Sequence, residues 1–188
     1  VAQQEMNFLT EASNLETFTR LNADVAFVSA PKLYPMYTTA SVLVMENVEG
    51  IPINEKDALR AAGYDLNEIG SKLADNYVKQ ITEDGFLHAD PHPGNIRIRD
   101  GKIVFLDMGM MGTLSERDRR TISQAVKGVA RNDPEACLEA VLKLGVVSGD
   151  VDRRQLYKDC ETMLDRYGSI DLGTMDLSQV VTDIMEIG

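Results

Sequence analysis

The chain has 188 residues, 44% of them hydrophobic, and a formal net charge of −11 at pH 7. This length allows one ordinary domain or two small lobes, and the apolar fraction excludes an intrinsically disordered chain. The acidic charge argues against nucleic acid as a partner, because phosphate binding requires clustered lysine and arginine. No apolar run approaches the roughly 18 residues that a membrane-spanning helix needs.

The first third of the chain is predicted to contain two helices around a pair of strands. Apolar residues at helical spacing predict a helix over residues 2–22, and Ala30-Pro31 interrupts the helical pattern. The stretch "LYPMYTTASVLVME" is rich in Tyr, Thr and Val, which predicts two short strands with a turn at 39–41. After the connector "NVEGIPI", a short helix is predicted over 55–62 and ends at Gly63.

The rest of the chain is predicted to hold one hairpin and a series of helices. The strongest helical pattern covers 65–84 and ends at Gly85. "IRI" and "KIVFL" flank Asp100-Gly101, a strong turn signal for a hairpin. Further helices are predicted over 116–131, where Ser115 and Asp118 resemble a capping box, and over 133–144, 152–167 and 176–187. The strands are therefore expected to be local and antiparallel, which gives an α+β fold.

The two cysteines lie in helical, apolar-patterned stretches. Cys137 and Cys160 are predicted to be free, reduced thiols rather than a disulfide, as is usual in a reducing compartment.

Residues 85–112, "GFLHADPHPGNIRIRDGKIVFLDMGMMG", concentrate both histidines of the chain with several carboxylates. His88, Asp90 and His92 could supply three ligands to a transition metal. However, the intervening prolines make this stretch a loop rather than a strand, and the chain has no further histidine to complete a zinc site. A transition-metal site is therefore a minor alternative. His88 is expected to be a hydrogen-bonded scaffold residue, and His92 a loop histidine whose hydrogen bonds are satisfied.

The spacing of the polar residues favours phosphoryl transfer instead. The predicted hairpin lies between Asn95 and Asp107, so it would bring Asp107 back beside the loop that carries Asp90. One carboxylate could then accept the proton of an attacking hydroxyl or water, while an amide oxygen and a second carboxylate hold Mg²⁺. Gly94 is expected to allow a sharp turn and Gly109 an unusual backbone dihedral.

These motifs resemble a known family. HxDxxxxN followed by DxG is similar to the catalytic-loop and metal-loop pair of the protein-kinase-like fold. "GFLHADPHPGN" with "FLDMGMMGTLS" resembles more narrowly the UbiB/AarF family of atypical kinases, which is linked to ubiquinone biosynthesis. "EASNLETF" and "VLVMENVEG" extend the likeness to the kinase helix C and the hinge between lobes. The resemblance implies a partial small lobe over 1–47, a helical large lobe over 48–188, and ATP and Mg²⁺ as cofactors.

The resemblance also implies roles for individual residues. Asp90 matches the catalytic base, Asn95 and Asp107 match the Mg²⁺ ligands, and Glu11 matches the glutamate that pairs with the phosphate-binding lysine. Around the adenine, Met45 would border the pocket, and the backbones of Glu46 and Val48 would bond the adenine edge.

Two residues depart from the family pattern. Asn7, in Glu5-Met6-Asn7, stands where the family has the Asp of a Glu-x-Asp element, which puts the role of that element in doubt. Met108 replaces the aromatic residue of Asp-Phe-Gly and is expected to fill the same packing position, because methionine adapts to irregular apolar space.

The segment after Asp107 bears on the substrate. The interval between Gly109 and the predicted helix at 116 is short and no Ala-Pro-Glu follows, so a protein substrate is not expected. The resemblance points to ATP hydrolysis, or to phosphorylation of a small or lipid-like molecule such as a quinone precursor. Two alternatives remain: a pseudokinase that binds nucleotide or lipid without turnover, and a small-molecule phosphotransferase of the aminoglycoside-kinase type.

The chain opens at Val1 in a helical pattern, without the lysine-bearing strand of a small lobe. It is therefore expected to be part of a longer protein and to bind ATP only weakly alone. A cytoplasmic location is expected, with peripheral attachment to an inner membrane through other regions of the protein.

Overall fold

The computed structural model describes residues 7–90, 92–144 and 151–167. Within these ranges the helices are α1 (Phe8–Leu21), α2 (Lys56–Ala61), α3 (Leu66–Lys79), α4 (Glu116–Ala130), α5 (Pro134–Leu144) and α6 (Arg153–Tyr167). The strands are β1 (Val28–Ser29), β2 (Ile51–Pro52), β3 (Phe86–His88), β4 (Ile96–Arg99), β5 (Lys102–Phe105) and β6 (Met111–Thr113). None of the helices in these ranges combines the length and the apolar character that a membrane crossing requires.

The main sheet has the strand order β1-β5-β4-β2. The predicted hairpin is its centre: β4 and β5 are antiparallel and pair Ile96 with Phe105 and Ile98 with Ile103. Asp100 and Gly101 adopt φ angles of 52° and 73°, as a tight two-residue hairpin turn requires. β4 and β5 supply most of the buried apolar side chains of this sheet.

The expectation of exclusively local, antiparallel strands is wrong. β1 joins β5 in parallel, pairing Val28 with Ile103, and β2 joins β4 across a long stretch of chain, pairing Ile51 with Ile98. Strands of two residues are too short to show an alternating pattern, so their non-local partners decide their conformation. The fold class is nevertheless α+β, because helices are segregated from small sheets.

The region predicted as two strands before residue 47 is less regular than expected. Isolated bridges join Leu33 to Met45 and Thr39 to Val42, and the turn lies between the latter pair. A 3-10 turn, Pro35–Tyr37, interrupts the first predicted strand because proline has no backbone N–H for a ladder.

Most helix ends follow the sequence signals. Gly63 follows α2 and has a positive φ of 84°. Gly85 follows the helical run that begins with α3 and has a positive φ of 62°. The predicted helix over 65–84 ends in a π-helical turn, Gln80–Asp84, that its pattern did not indicate. The Ser115 hydroxyl accepts the Asp118 N–H at 3.1 Å and caps α4. The predicted helix 176–187 and the start of the predicted first helix lie outside the described residues.

The chain divides into two compact units, each considered by itself. The first comprises the described residues of Val1–Leu73 and Phe86–Thr113; the second comprises those of Ala74–Gly85 and Leu114–Gly188. The first unit contains the main sheet, the β3–β6 pair and every candidate site residue. These are packing units, and the division into lobes after residue 47 stays a prediction.

The second unit has a core in which α5 and α6 pack together. Its buried residues are Cys137, Leu138, Leu156, Cys160, Met163 and Leu164. Both cysteines are free, as predicted from the sequence.

We expect both thiols to resist a thiol-specific reagent at pH 8 while the protein is folded. Burial, and then the neighbouring Cys160 and Asp133, raise the pKa of Cys137 to about 11. Burial also raises the pKa of Cys160. Because only the thiolate reacts, labelling should require unfolding. Labelling counted by mass spectrometry in buffer and in denaturant checks this, and rapid labelling of either cysteine in buffer would contradict it.

Candidate active site

His88 connects the two loops that carry the candidate site. It is the last residue of β3 and is only 3% exposed. Its ring packs against that of Phe105, with 5.7 Å between the two ring centroids. Its Nε2 lies 2.6 Å from the Asp107 carbonyl oxygen, and its Nδ1 lies 3.3 Å from the Asp90 backbone nitrogen. A carbonyl only accepts and an N–H only donates, so the ring carries its proton on Nε2. His88 is thus a scaffold residue, and its two ring nitrogens hold the backbones of Asp90 and Asp107 together.

The hairpin brings Asn95 close to Asp107. The Asn95 carbonyl accepts the Leu106 N–H at 2.8 Å, directly beyond the last ladder pair of β4 and β5. Residues 95 and 107 therefore lie close together at the end of the hairpin that is away from the turn, as the motif spacing predicted. The mutual approach of these backbones is the geometry on which the phosphoryl-transfer interpretation depends.

The segment around Asp107 is tightly folded on itself. The Asp107 Oδ1 accepts the Gly109 N–H at 2.7 Å, and Met108 is 1% exposed, so methionine does fill a buried packing position. A Cβ on residue 109 would lie 3.1 Å from the Asp107 Oδ1. A side chain there would require the Asp107 carboxylate to shift by a few tenths of an ångström. Gly109 does not have a positive φ, contrary to the predicted unusual dihedral.

Gly94 lies in a tight 3-10 turn, Pro93–Asn95, as the sharp turn predicted there requires. It has no positive φ, but a Cβ there would lie 2.8 Å from the His92 Nδ1. That same nitrogen accepts the Gly94 N–H at 3.0 Å, which makes His92 a loop-forming residue. His88 has both ring nitrogens engaged, so these histidines do not form the transition-metal site considered as an alternative. Among the described residues no group of three or more His, Cys, Asp or Glu side chains is arranged to hold a metal ion.

Helix α1 contributes two side chains to the Asp107 segment. Glu11 is half-buried, and burial followed by the charge of Asp107 raises the pKa of its carboxyl, although a hydrogen bond from the Met108 N–H lowers it in part. One turn further along α1, the Asn14 Nδ2 donates to the Met108 carbonyl at 2.8 Å. Glu11 therefore does not behave as an ordinary solvated helix charge.

The donor set fits a divalent cation of the Mg²⁺ type. In the described part of the chain, the side chains of Asp90 and Asn95 and the Oδ2 of Asp107 make no hydrogen bond to protein. Hard oxygen ligands of this kind are what Mg²⁺ prefers. Burial, and after it the charge of Asp107, raise the pKa of Glu11, so a cation bound beside Asp107 would favour the charged form of Glu11.

The predicted hinge is anchored through Glu46. Its backbone N–H donates to the Lys32 carbonyl at 2.8 Å, so only its carbonyl can face an adenine. Its carboxylate accepts the Lys32 N–H at 3.1 Å and pairs with Arg99 at 2.6 Å, and these partners lower the pKa of Glu46. Met45 forms the bridge to Leu33, and Val48 is buried with no backbone hydrogen bond within the described ranges. The adenine-contacting roles of these residues stay predictions.

Comparison with known proteins identifies the family. Residues 1–141 match the family described as the ABC1 atypical kinase-like domain. The chain belongs to this family. The match covers every residue of the candidate site and agrees with the resemblance to the UbiB/AarF kinases.

Curated relatives of this ABC1 chain are much longer proteins. It is 38% identical over 98% of its length to an uncharacterized protein in the hydrogenase 1 5′ region of Clostridium pasteurianum. It is 41% identical over 80% of its length to the chloroplastic Activity of bc1 complex kinase 8 of Arabidopsis thaliana. The chain spans 35% and 20% of these two relatives.

A solved structure supports the fold. Rv3197 of Mycobacterium tuberculosis, in a complex with erythromycin, aligns with 98% of this ABC1 chain and 54% of its own chain at a TM-score of 0.62. The sequence identity is 17%, so the comparison speaks for a kinase-like fold alone.

Sequence reasoning missed Asn14 and Arg99. Both lie within quoted stretches, "EASNLETF" and residues 85–112, but neither received a role, because a polar residue on a helix or strand is usually solvated. The position of Asn14 one turn after Glu11 was an available signal, because residues at that spacing share a helix face. Asn7 is the N-cap of α1 and accepts the Leu9 N–H at 3.1 Å, a role that Asp could fill equally well.

Proposed function

We propose that this domain binds Mg·ATP and either hydrolyses it or transfers its γ-phosphoryl group. The observation that supports this most strongly is the junction at His88, which ties the backbone of Asp90 to that of Asp107. Beside that junction lie oxygen-bearing side chains without protein partners among the described residues.

Each candidate residue has a distinct chemical task in this proposal. Asp90, exposed in its loop, accepts the proton of the attacking hydroxyl or water. The Asn95 amide oxygen and the Asp107 Oδ2 hold Mg²⁺, which when bound neutralises phosphate charge. Glu11 receives the ammonium of a phosphate-binding lysine supplied by another part of the protein.

The adenine-binding assignment uses the hinge. The Glu46 carbonyl would accept from the adenine amino group, and the Val48 N–H would donate to the ring. The Glu46–Arg99 ion pair, which joins the hinge to β4, would keep this strand-like segment in place. Met45 would close the pocket behind the adenine.

We further propose a small or lipid-like substrate rather than a protein. Protein kinases dock peptides on a long segment after the Asp-x-Gly motif. Here strand β6 (Met111–Thr113) begins two residues after Gly109 and pairs with β3, and α4 begins at Glu116. The backbone of β6 is therefore already paired and is not available to dock a peptide. A quinone precursor is the substrate class that the family resemblance suggests, and attachment to an inner membrane would then lie in other regions of the protein.

Asp90→Asn tests turnover separately from binding. Asparagine keeps the shape of Asp90 but cannot act as a base at neutral pH, so phosphate release from Mg·ATP should fall about a hundredfold. Calorimetric affinity for Mg·ATP should stay within about twofold, because Asp90 is not assigned to the metal. The exposed Asp24→Asn provides the same chemical change away from the site and should release phosphate as the wild type does.

Two outcomes would count against the proposal. Mg·ATP binding without any phosphate release by the wild type, with or without candidate acceptors, would favour the pseudokinase alternative. Equal release by wild type and Asp90→Asn would show that Asp90 is not the base.

A further inference from the structure

We propose that Asn14 is a positioning residue that fixes the metal-binding segment, residues 107–109, on helix α1. The side chain is not placed against nucleotide or metal; it acts through the backbone of Met108. The positioning itself rests on hydrogen bonds in this structure, whereas its consequence for catalysis rests on the proposed function.

The contact defines the orientation of the Asn14 amide. Its Nδ2 donates to the Met108 carbonyl at 2.8 Å, in a partly buried position between residues far apart in sequence. A carbonyl oxygen can only accept, so the NH₂ group must face it and the amide cannot be reversed. Partial burial makes this hydrogen bond costly to lose, because the Met108 carbonyl would be left without a partner.

Asn14 and Glu11 both lie beside Met108. Asn14 donates to the Met108 carbonyl, and the Met108 N–H is near enough to the Glu11 carboxyl to lower its pKa in part, against the larger effects of burial and of Asp107 that raise it. The two side chains lie one turn apart on α1 and so share one face of the helix. The Asn14 bond therefore determines how the peptide that follows Met108 faces α1.

The neighbouring peptide groups are held as well. The Asp107 carbonyl accepts from His88 at 2.6 Å, and the Gly109 N–H donates to the Asp107 Oδ1 at 2.7 Å. The Asp107 carbonyl, the Met108 carbonyl and the Gly109 N–H therefore each have a side-chain hydrogen-bond partner. One oxygen of Asp107 stays outside this set, and the hydrogen bonds fix the direction in which it points.

A neutral donor is needed at position 14 because two acids already lie close by. A Cβ placed on Gly109 would lie 3.1 Å from the Asp107 Oδ1 and 3.9 Å from the Glu11 Oε2, so both carboxylates face the same short segment. An aspartate at position 14 would have no proton to offer the Met108 carbonyl and would add a third acid. Asn14→Asp thus removes the donor while changing the shape of the side chain very little.

Asn7→Asp is a matched control on the same helix. Asn7 accepts the Leu9 N–H through Oδ1, and aspartate accepts there equally well. A negative charge at the start of α1 also interacts favourably with the helix dipole. Both variants change the net charge by the same amount, and only Asn14→Asp loses a donor.

Hydrogen exchange followed by mass spectrometry or NMR tests the positioning without any nucleotide. In Asn14→Asp the amides of Met108 and Gly109 should exchange about tenfold faster than in the wild type, since local opening of this segment becomes easier. The amides of β4 and β5 should be unchanged, and Asn7→Asp should match the wild type throughout. Unchanged exchange at residues 108 and 109 would overturn the proposal, as would equally faster exchange in β4 and β5, which would mark a general structural role.

Kinetics test the catalytic consequence. Asn14→Asp should lower kcat about tenfold and raise the Mg²⁺ concentration needed for half-maximal rate, while KM for ATP changes less than about twofold because the hinge is untouched. An unchanged kcat and Mg²⁺ requirement would overturn this consequence. If the wild type itself shows no turnover, the proposed function fails, and the exchange experiment still decides whether Asn14 positions the segment.

Discussion

Asp107→Asn is expected to reduce Mg²⁺-dependent phosphate release about a thousandfold, equivalent to about 4 kcal/mol of transition-state stabilisation. The substitution removes the charge of the proposed metal ligand but keeps its shape. An asparagine Oδ1 can still accept the Gly109 N–H, which Asp107 holds at 2.7 Å. The local fold should therefore persist while metal binding fails.

The same substitution should leave the folded protein as stable as the wild type, or slightly more stable. The charge of Asp107 contributes to the raised pKa of Glu11, so removing it relieves an unfavourable interaction. Phosphate release and thermal melting measured on one preparation test both statements. A loss of activity that accompanies unfolding would not support the metal role, and release within about threefold of the wild type would contradict it.

Asp100→Asn is the control for this experiment. Asp100 lies in the same packing unit, at the hairpin turn, with a φ of 52°. Asparagine tolerates this left-handed conformation well, and Asn-Gly is a preferred hairpin turn. This variant should retain wild-type release, so that any effect at residue 107 is not a general effect of removing an acid from this unit.

Features with local chemistry could be predicted from the sequence. The Asp100-Gly101 turn, the glycines after α2 and after the helical run at Gly85, and the Ser115 cap each depend on a few adjacent residues. The approach of Asn95 to Asp107 followed in turn from the hairpin, because two strands of equal length return the chain to its starting point. The hairpin and the approach of Asn95 to Asp107 therefore required no long-range information.

Non-local features could not be predicted in the same way. β1 is two residues long and pairs in parallel with β5, far along the chain, so no local pattern marks it. The expectation of an unusual dihedral at Gly109 was wrong for a related reason. The Asp107 carboxylate folds back onto residue 109, and no local pattern in the sequence indicates that contact.

The contact of Asn14 with Met108 illustrates the limit at the site itself. The resemblance selected Glu11 from α1, and the only signal for Asn14 was its position one turn later on the same helix face. Only the packing of α1 against the Asp107 segment distinguishes Asn14 from an ordinary polar helix residue. Residues that act through a backbone group leave little trace in a sequence motif, because the partner can be any amino acid.

Phe105→Ala is expected to lower the free energy of unfolding by about 3–4 kcal/mol. Phe105 is 0% exposed at the end of β5, and its ring centroid lies 5.1 Å from that of Phe18 on α1 and 5.7 Å from that of His88. Alanine would leave a cavity between helix and sheet that rigid strand neighbours cannot fill. The midpoint of urea unfolding measures the change, and the slope of the transition should stay the same.

Phe8→Ala makes the same substitution on the surface of the same unit. Phe8 is 38% exposed, so its loss should cost less than about 1 kcal/mol. Should Phe105→Ala fail to fold, Phe105→Leu retains most of the apolar volume and should cost about 1–2 kcal/mol. Equal effects of Phe8→Ala and Phe105→Ala would contradict the assignment of Phe105 to the core.

The position of Phe105 also couples stability to the candidate site. Its ring supports Phe18, on the helix that carries Glu11, and it supports His88, whose nitrogens hold the backbones of Asp90 and Asp107. A double-mutant cycle of Phe18→Leu and Phe105→Leu should therefore show a coupling of about 0.5–1.5 kcal/mol. Phosphate release by these variants should fall even under conditions in which they remain fully folded, because the ring contacts that stabilise the unit also join α1 to His88, which holds the Asp107 backbone of the proposed metal-binding segment.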